Sequence, residues 1–528
     1  MNALLIYHRL IPTRDTGEFT PVLTNRNSDN SHLFEMEDKM QLTRVICLLS
    51  IIVFVATSCQ HTPQEKQNLS NGFEFVGGYP TEATIQKAYD QLDVQRATQV
   101  YLNFMPLASQ NSLFESFIND YDMTIAGDIG IYTEPGEGKS VALGLTYNTE
   151  SIYAAAYSDL KIDGPTVIET PPNVLGIVDD GWMRFITDIG NAGPDKGKGG
   201  KYLLLPPGYE GKVPEGYFVF ECPTYRNWIM VRGFVQNTGT GDDAIAYYKK
   251  NLKVYPLATG LREDAKYITA SFKKGDTTHP RDISYFNLID KIVQYEPASA
   301  FTTYELGLLK AIGIEKGKAF APDKRMKKLL AEGVKIGDAV AKANAYAHRD
   351  KQARIYPDRK YETIFIGGNH EFMDGDAMLL DARTLFHYEA IVITPAMAIQ
   401  MVGIGSQYLC IYRDTEDNFL MGDHNYKMHL PAGIPAKDFW SVTVYHPDTR
   451  SLLQNGQPKP SVSTYDKPDF NEDGSIDIYF GPKAPEGMEK NWVKTIPGEG
   501  WFAYIRLYGP LESYFDQTWK PDDIVKVN

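Results

Sequence analysis

Cysteine is scarce in this chain of 528 residues. Only Cys47, Cys59, Cys222 and Cys410 are present, and no Cys-x-x-Cys motif occurs. So few thiols exclude a disulfide-stapled scaffold, and the missing motif excludes the simplest thiolate metal and redox sites. A disulfide between Cys222 and Cys410 and two separately buried thiols are both open.

Positive charge and long apolar runs are also lacking. Lys and Arg number 53 against 67 Asp and Glu, which gives a formal net charge of −14. Because phosphate backbones repel such a surface, we predict no nucleic-acid partner. The apolar run at residues 45–55 is shorter than the roughly 20 residues that a membrane-spanning helix needs.

Two common catalytic motifs are missing. The Gly/Lys-rich stretch at residues 193–201 lacks the P-loop spacing and precedes a predicted strand, so it is interpreted as a connection. Residues 403–407, Gly-Ile-Gly-Ser-Gln, do not fit the Gly-x-Ser-x-Gly nucleophile elbow. The sequence therefore does not indicate a particular reaction.

The short apolar run is typical of a bacterial lipoprotein signal. It follows Lys39 and Arg44 and ends in the small residues Ala56-Thr57-Ser58 before Cys59. We expect cleavage before Cys59 and lipid attachment there. The membrane is then a partner through the anchor, and the expected location is the outer membrane of a Gram-negative-type bacterium. The periplasmic side and the cell exterior are both open as the side that the protein faces.

The rest of the chain predicts a mainly β fold, α+β overall. Apolar spacing predicts helices over residues 81–104, 301–311 and 323–347, whereas short β-branched and aromatic runs fill 123–255 and the stretch after 391. We expect two β-sandwich or jelly-roll-like domains joined by a helical connector, with an N-terminal helix. The predicted divisions are 1–35 (upstream mis-translated or disordered segment), 36–58 (signal peptide), 59–78 (tether), 79–290 (helix and first β-rich domain), 291–360 (connector) and 361–528 (second β-rich domain).

Spaced motifs in both halves resemble two paired families. Residues 148–153, 157–160, 164–167, 180–182, 205–214 and 231–233 resemble the N-terminal domain-of-unknown-function family numbered 1254. Residues 439–445, 473–475, 491–492, 506–510 and 518–521 resemble its partner family numbered 1214. The resemblance implies β-rich architecture and no established activity. The family commonly has an aspartate where this chain has Glu150.

Metal ligands are suggested in two places, although no cofactor is predicted. Asp469 and Asp473 belong to a calcium-loop-like stretch whose twelfth position is Phe480 instead of a carboxylate, so a tight turn is the favoured alternative. His370, Glu371 and Asp374 are similar to a His-Glu-x-x-His motif but are flanked by glycines. With the later histidines they are a candidate transition-metal site.

Polar and aromatic residues, most of them inside the family motifs, supply the candidate ligand cleft. These are Asn148, Tyr153, Asp159, Asp180, Arg232, Arg383 and Tyr445. Arg232 and Arg506 lie within apolar strands and need carboxylate or carbonyl partners if they are buried. The favoured hypothesis is a tethered protein that binds or modifies a small molecule or glycan between its β-domains. A hydrolase or lyase with carboxylate or histidine acid–base chemistry and a structural envelope protein are the alternatives.

We predict that Cys59→Ala abolishes lipid attachment, because the thiol of this residue is the acceptor. Mass spectrometry of the mature N-terminal peptide is the measurement, and Cys47→Ala, in the same run, is the matched control that should stay lipidated. Lipid on the Cys59→Ala protein would disprove the assignment.

Overall fold

The computed structural model describes residues 67–68, 71–124, 127–132, 143–234, 241–270 and 275–527. The predicted signal peptide and Cys59 lie outside these residues, so their assignment stays a prediction. The chain divides into two compact units, residues 1–87 and 88–528. Among the described residues, no helix has the length and apolar character that crossing a bilayer requires.

The first unit contains a small antiparallel sheet. Its strands are β1 (Gln67–Asn68), β2 (Glu74–Val76) and β3 (Tyr79–Pro80). Thr84 ties the following helical turn to this sheet, because its hydroxyl donates to the Glu74 carbonyl at 3.0 Å.

Helices cover much of the first part of the second unit and the stretch between its β-regions. In chain order the helices are α1 (Glu82–Asn103), α2 (Met105–Asn119), α3 (Leu160–Asp163), α4 (Gly241–Asn251), α5 (Ser284–Tyr295), α6 (Thr303–Ala311), α7 (Lys324–Tyr346), α8 (Leu380–Glu389), α9 (Pro395–Ala398) and α10 (Glu512–Phe515).

The helices predicted from apolar spacing are confirmed by α1, α6 and α7. Thr302 and Glu305 form a capping box at the start of α6, and Asp323 caps α7. In α7, Gly333 and Gly337 lie against α1, where an added Cβ would come within 2.5 Å of Ala97 and Tyr101. The small residues of α7 therefore allow α1 and α7 to approach each other closely.

Helix α2 was not predicted. Pro106 was interpreted as the residue after a helix, but it lies in the first turn of α2, where its missing N–H costs nothing. Phe104 is the only residue between α1 and α2 and has non-helical backbone angles. Helices α1, α2, α5, α6 and α7 share one apolar core with Tyr388 of α8.

The remaining strands form the sheets of two regions and, between them in the chain, a two-stranded sheet at residues 373–378. They are β4 (Ile129–Tyr132), β5 (Ser151–Asp159), β6 (Thr166–Thr170), β7 (Leu175–Asp179), β8 (Phe185–Gly190), β9 (Gly200–Leu205), β10 (Phe218–Glu221), β11 (Arg226–Phe234), β12 (Lys253–Pro256), β13 (Tyr267–Thr269), β14 (Met373–Asp374), β15 (Ala377–Met378), β16 (Ser406–Ile411), β17 (Asn425–Leu430), β18 (Ala436–Tyr445), β19 (Ser461–Ser463), β20 (Ile476–Gly481), β21 (Trp492–Lys494), β22 (Phe502–Pro510) and β23 (Val525–Val527).

Strands β4–β13 are here called the first β-region. It holds a six-stranded sheet of order β13-β4-β5-β11-β7-β8 and a four-stranded sheet of order β10-β9-β6-β12. Residues of both sheets and of α4 contribute to a single hydrophobic core. That core takes one face of the six-stranded sheet and leaves the other face for different contacts.

Strands β16–β23 are here called the second β-region. Its two four-stranded sheets have the orders β16-β22-β18-β19 and β21-β20-β17-β23. Apolar side chains of both sheets meet in one core, which contains Trp501. The α+β class is confirmed, and the finer description as jelly-roll-like sandwiches stays a prediction.

The two described cysteines are not joined. Cys222 belongs to the core of the first β-region, Cys410 belongs to a separate cluster around α8, and both thiols are free and buried. The disulfide alternative is therefore wrong. Burial raises the pKa of both thiols well above the usual value, which makes them unreactive core residues.

Candidate functional site

A cavity of about 200 Å³ lies between the first and second β-regions, and its lining is mostly apolar. The alternation of side chains along β-strands explains how it forms. In β11, Ile229 and Val231 enter the core of the first β-region, whereas Trp228, Met230 and Arg232 line the cavity. The free face of the six-stranded sheet is therefore one wall of the site.

The second β-region supplies the facing wall by the same alternation. In β22, Ala503, Ile505 and Leu507 enter the core, whereas Arg506 points the other way and lines the cavity with Tyr408 of β16. The stretch after α8, residues 390–397, completes this wall with apolar side chains such as Val392.

Each wall carries one arginine opposite one tyrosine. Arg232 on β11 pairs in register with Tyr153 on β5, and Arg506 on β22 pairs in register with Tyr408 on β16. Cross-strand partners of this kind lie side by side on one face of a sheet. All four residues line the cavity.

Arg506 is buried, with 2% of its surface exposed. Its Nη1 donates to the Tyr445 hydroxyl and its Nη2 to the Thr146 carbonyl, while its buried Nε has no hydrogen-bond partner. The rings of Tyr408, Tyr445 and Tyr504 lie about its guanidinium at 4.9, 5.4 and 5.1 Å. Oxygen dipoles and aromatic faces surround this charge without neutralising it.

Neither arginine forms an ion pair with a carboxylate of the described residues. Arg232 is half-buried, and its guanidinium lies 5.7 Å from the ring centre of Tyr508. Burial raises the pKa of Tyr408, but the nearby Arg506 and Arg232 guanidiniums outweigh that effect and bring this pKa below its usual value. The cavity therefore contains a positive electrostatic potential at its polar end.

One carboxylate, Asp188 on β8, lines the same cavity. Burial raises its pKa to about 6, and the effects of Thr394 and Arg232 act in the opposite direction. The cavity opens to solvent near Asn191 and Ile404, which line it and are themselves exposed.

Residues 146–150, here called the docking segment, connect the two β-regions. The Glu150 carboxylate is fully buried and accepts hydrogen bonds from Ser463 at 2.9 Å, from Ser461 at 3.3 Å and from Lys459 at 3.2 Å. Asn148 donates to the Tyr508 hydroxyl. Glu150 is thus a buried carboxylate that fastens the two β-regions together.

The structure brings three of the predicted cleft residues together. Asn148, Tyr153 and Arg232 line the cavity. Tyr445 lies behind it, where its hydroxyl donates to the Tyr147 carbonyl at 2.9 Å and accepts from Arg506. Its part in the cleft is to hold the arginine in place.

The other predicted cleft residues lie elsewhere. Asp159 accepts hydrogen bonds from the Tyr295 hydroxyl at 2.6 and 2.7 Å, and Asp180 closes a turn through the backbone N–H groups of Trp182 and Arg184. Arg383 donates to the Asn103 carbonyl at the end of α1, and burial lowers its pKa to about 10. These contacts stabilise the fold and do not reach the cavity.

The candidate metal ligands do not converge. Across the described ranges, no group of three or more His, Cys, Asp or Glu side chains has the proximity to hold a metal ion. Asp469 pairs with Lys490 at 2.9 Å, and Asp473 accepts from Ser475 in the turn that enters β20. His370 packs edge-on against Phe185, while Glu371 and Asp374 are exposed.

Glu389 at the end of α8 was missed, because nothing in its local sequence marks it. It is fully buried and accepts hydrogen bonds from the hydroxyls of Tyr412 and Tyr504. Burial raises its pKa to about 8, although these hydroxyls act in the opposite direction. Glu389 is therefore a buried acid that holds its proton near neutral pH.

The fold and the cavity define an α+β protein whose candidate site lies between two β-regions. Residues 131–256 match the family model described as a protein of unknown function, DUF1254, and residues 405–512 match a second one, DUF1214. The two matches follow this order along the chain, and the resemblance inferred from the motifs is confirmed.

Two solved structures are similar to this chain. The VPA0106 protein from Vibrio parahaemolyticus is 16% identical with a TM-score of 0.48, over 83% of this chain and 100% of its own. An uncharacterized protein from Burkholderia cenocepacia is 12% identical with a TM-score of 0.38, over 84% of this chain and 97% of its own. No curated protein matches the sequence significantly.

We predict that Glu150→Gln lowers the free energy of unfolding by about 1–3 kcal/mol, because it removes the buried anionic acceptor of two serine hydroxyls and of the partly exposed Lys459, which keeps Asp466 as its second partner. Urea denaturation measures the change. The exposed Glu263→Gln is the matched control and should stay within about 0.5 kcal/mol of the parent. An equally small effect at Glu150 would contradict the fastening role.

We predict that the raised pKa of Glu389 makes the free energy of unfolding depend on pH. The folded protein keeps a proton that the unfolded chain releases above its ordinary pKa, so the stabilisation is present below pH 4.5 and is lost as the pH rises to about 8. Within that range the free energy of unfolding should fall by up to about 1.4 kcal/mol per pH unit from this group.

Glu389→Gln should remove that contribution and flatten the curve of unfolding free energy against pH by the same slope. Denaturant melts at half-unit intervals from pH 5 to 8 measure it. Burial also raises the pKa of Glu296, to about 7, so the difference between the two proteins is the informative quantity. Parallel curves would show that Glu389 is ionised in the folded state.

Proposed function

We propose that this protein binds a small, largely apolar molecule in the cavity between its two β-regions, while a lipid anchor at Cys59 holds it at the outer membrane. The observation that carries the proposal is the cavity itself. Its volume of about 200 Å³ is many times what one water needs, and apolar side chains dominate its lining. Such cavities between domains are common ligand sites.

The composition of the walls supports a bound molecule over a packing defect. Close-packed interiors leave few voids larger than a water, whereas this cavity lies between two well-packed cores and reaches solvent near Asn191 and Ile404. Trp228 and Tyr132 offer flat apolar surface, while Tyr153, Tyr408 and the two arginines supply polar groups at one end. This arrangement suits an amphiphilic small molecule better than a polyhydroxylated glycan.

Asp188 supports a second candidate function, that of a hydrolase or lyase. Its pKa of about 6 suits a general base, and it shares the cavity with Tyr408 and two cationic groups that stabilise negative charge. In the described lining the carboxylate, and not a histidine, is then the acid–base group. Turnover of a bound ligand that Asp188→Asn abolishes without weakening binding is the outcome that separates this function from simple binding.

The binding proposal predicts that N-phenyl-1-naphthylamine, a neutral apolar fluorophore, binds this protein and that filling the cavity prevents it. Ala155→Phe and Val392→Phe add bulk from opposite walls and should each weaken binding about tenfold or more, a loss of about 1.4 kcal/mol per tenfold. Fluorescence titration measures the dissociation constant, and the melting temperature checks the fold.

Ile162→Phe is the matched control, because this residue is 77% exposed and far from the lining. It adds the same ring without filling the cavity and should bind the fluorophore like the parent. The proposal fails if the parent does not bind the fluorophore, or if both cavity-filling variants fold and bind it unchanged.

A further inference from the structure

We propose that the ligand of this cavity is an organic acid, an apolar body with one carboxylate-type anionic head, which Arg232 and Arg506 hold together. This inference rests on the proposed function and adds the charge and orientation of the ligand. It assigns the two arginines as the head-group site and the apolar walls as the site of the body.

Arg506 is a buried cation in the wall of the cavity. A buried guanidinium is costly unless an anion compensates it, and buried charges in proteins are usually paired. In the part of the chain that the structure describes, Arg506 has a carbonyl, a hydroxyl and three tyrosine rings around it but forms no ion pair. Its unpartnered Nε belongs to a side chain that lines the cavity and is 98% buried.

Arg232 enters the same cavity from the other β-region. Its guanidinium lies 5.7 Å from the ring centre of Tyr508, which is two residues from Arg506 on the same face of β22. The charges of both guanidiniums act to lower the pKa of the Tyr153 and Tyr408 hydroxyls. The two cationic groups therefore share one end of the cavity. Like charges converge in this way where an anion is to be bound, since a planar carboxylate accepts paired N–H donors.

The net charge of the cavity lining indicates how much charge the ligand carries. Two guanidiniums and the Asp188 carboxylate leave about one net positive charge among the described lining residues when Asp188 is ionised. That balance matches a monoanion better than a doubly charged phosphate. The surrounding apolar surface requires that the rest of the ligand be uncharged.

The test is competition against bound N-phenyl-1-naphthylamine by two molecules with the same body, 4-phenylbutanoate and 4-phenylbutan-1-ol. The acid should displace the fluorophore at a concentration at least about tenfold lower than the alcohol. Arg232→Met should remove this preference by weakening the acid alone, because it keeps an apolar stem in place of the arginine and removes the charge. Arg232 is half-buried and tolerates this change better than Arg506 does.

Asp188→Asn is the variant with the opposite expectation. It removes the negative charge from the lining and should strengthen the acid several-fold without affecting the alcohol. Arg349→Met, which removes a charge from a side chain with 82% exposure, is the matched control and should leave both competitors unchanged.

The outcomes separate the two proposals. If the fluorophore itself does not bind, the proposed function fails and this inference falls with it. If the fluorophore binds but the acid competes no better than the alcohol, the organic-acid inference is overturned and the binding proposal stands. A preference for the acid that survives Arg232→Met in a folded protein also overturns the assigned head-group site.

Discussion

The burial of the docking segment between the two β-regions is the constraint on which the candidate site depends. Residues 146–150 present a carboxylate, an amide and backbone carbonyls to the second β-region. Lys459, two serines and Arg506 of that region bind these groups through hydrogen bonds and an ion pair. Because an unsatisfied buried polar group costs free energy, these partners fix one relative placement of the two regions. The space left between the walls at that placement is the cavity.

This dependence explains why the polar residues of the site do two jobs. Arg506 supports the docking segment through the Thr146 carbonyl and also lines the cavity. Asn148 joins Tyr508 across the boundary and lines it as well. A ligand of the proposed kind would contact both β-regions at once and would stabilise the docked arrangement by mass action. In the proposed function, stability and recognition share the same hydrogen bonds.

Part of this arrangement was predictable from the sequence, and the reasons are local. The apolar stripe of α7 is visible as spacing, since a helix repeats on a scale of a few residues. Tyr153 and Arg232 became candidates because they lie in motifs that resemble the family numbered 1254. The pairing of Arg506 with Tyr408 depends on the register of strands almost a hundred residues apart. Asp188 sits in an ordinary strand, and Pro106 gives the same signal at a helix start as after a helix end. No local pattern distinguishes these cases.

Charge determines which of the predicted polar residues are candidates for recognition. Asp159, Asp180 and Glu150 each have a neighbouring cation or several donors, so their charges are compensated within the protein. Arg506 and Arg232 pair with no described carboxylate. This lack of a partner contrasts with the abundance of acidic residues in a chain of net charge −14. A structural arginine in a sheet is stabilised most by a fixed carboxylate, whereas a recognition arginine must keep that position open. The uncompensated pair between the two β-regions therefore supports the proposal of a negatively charged ligand.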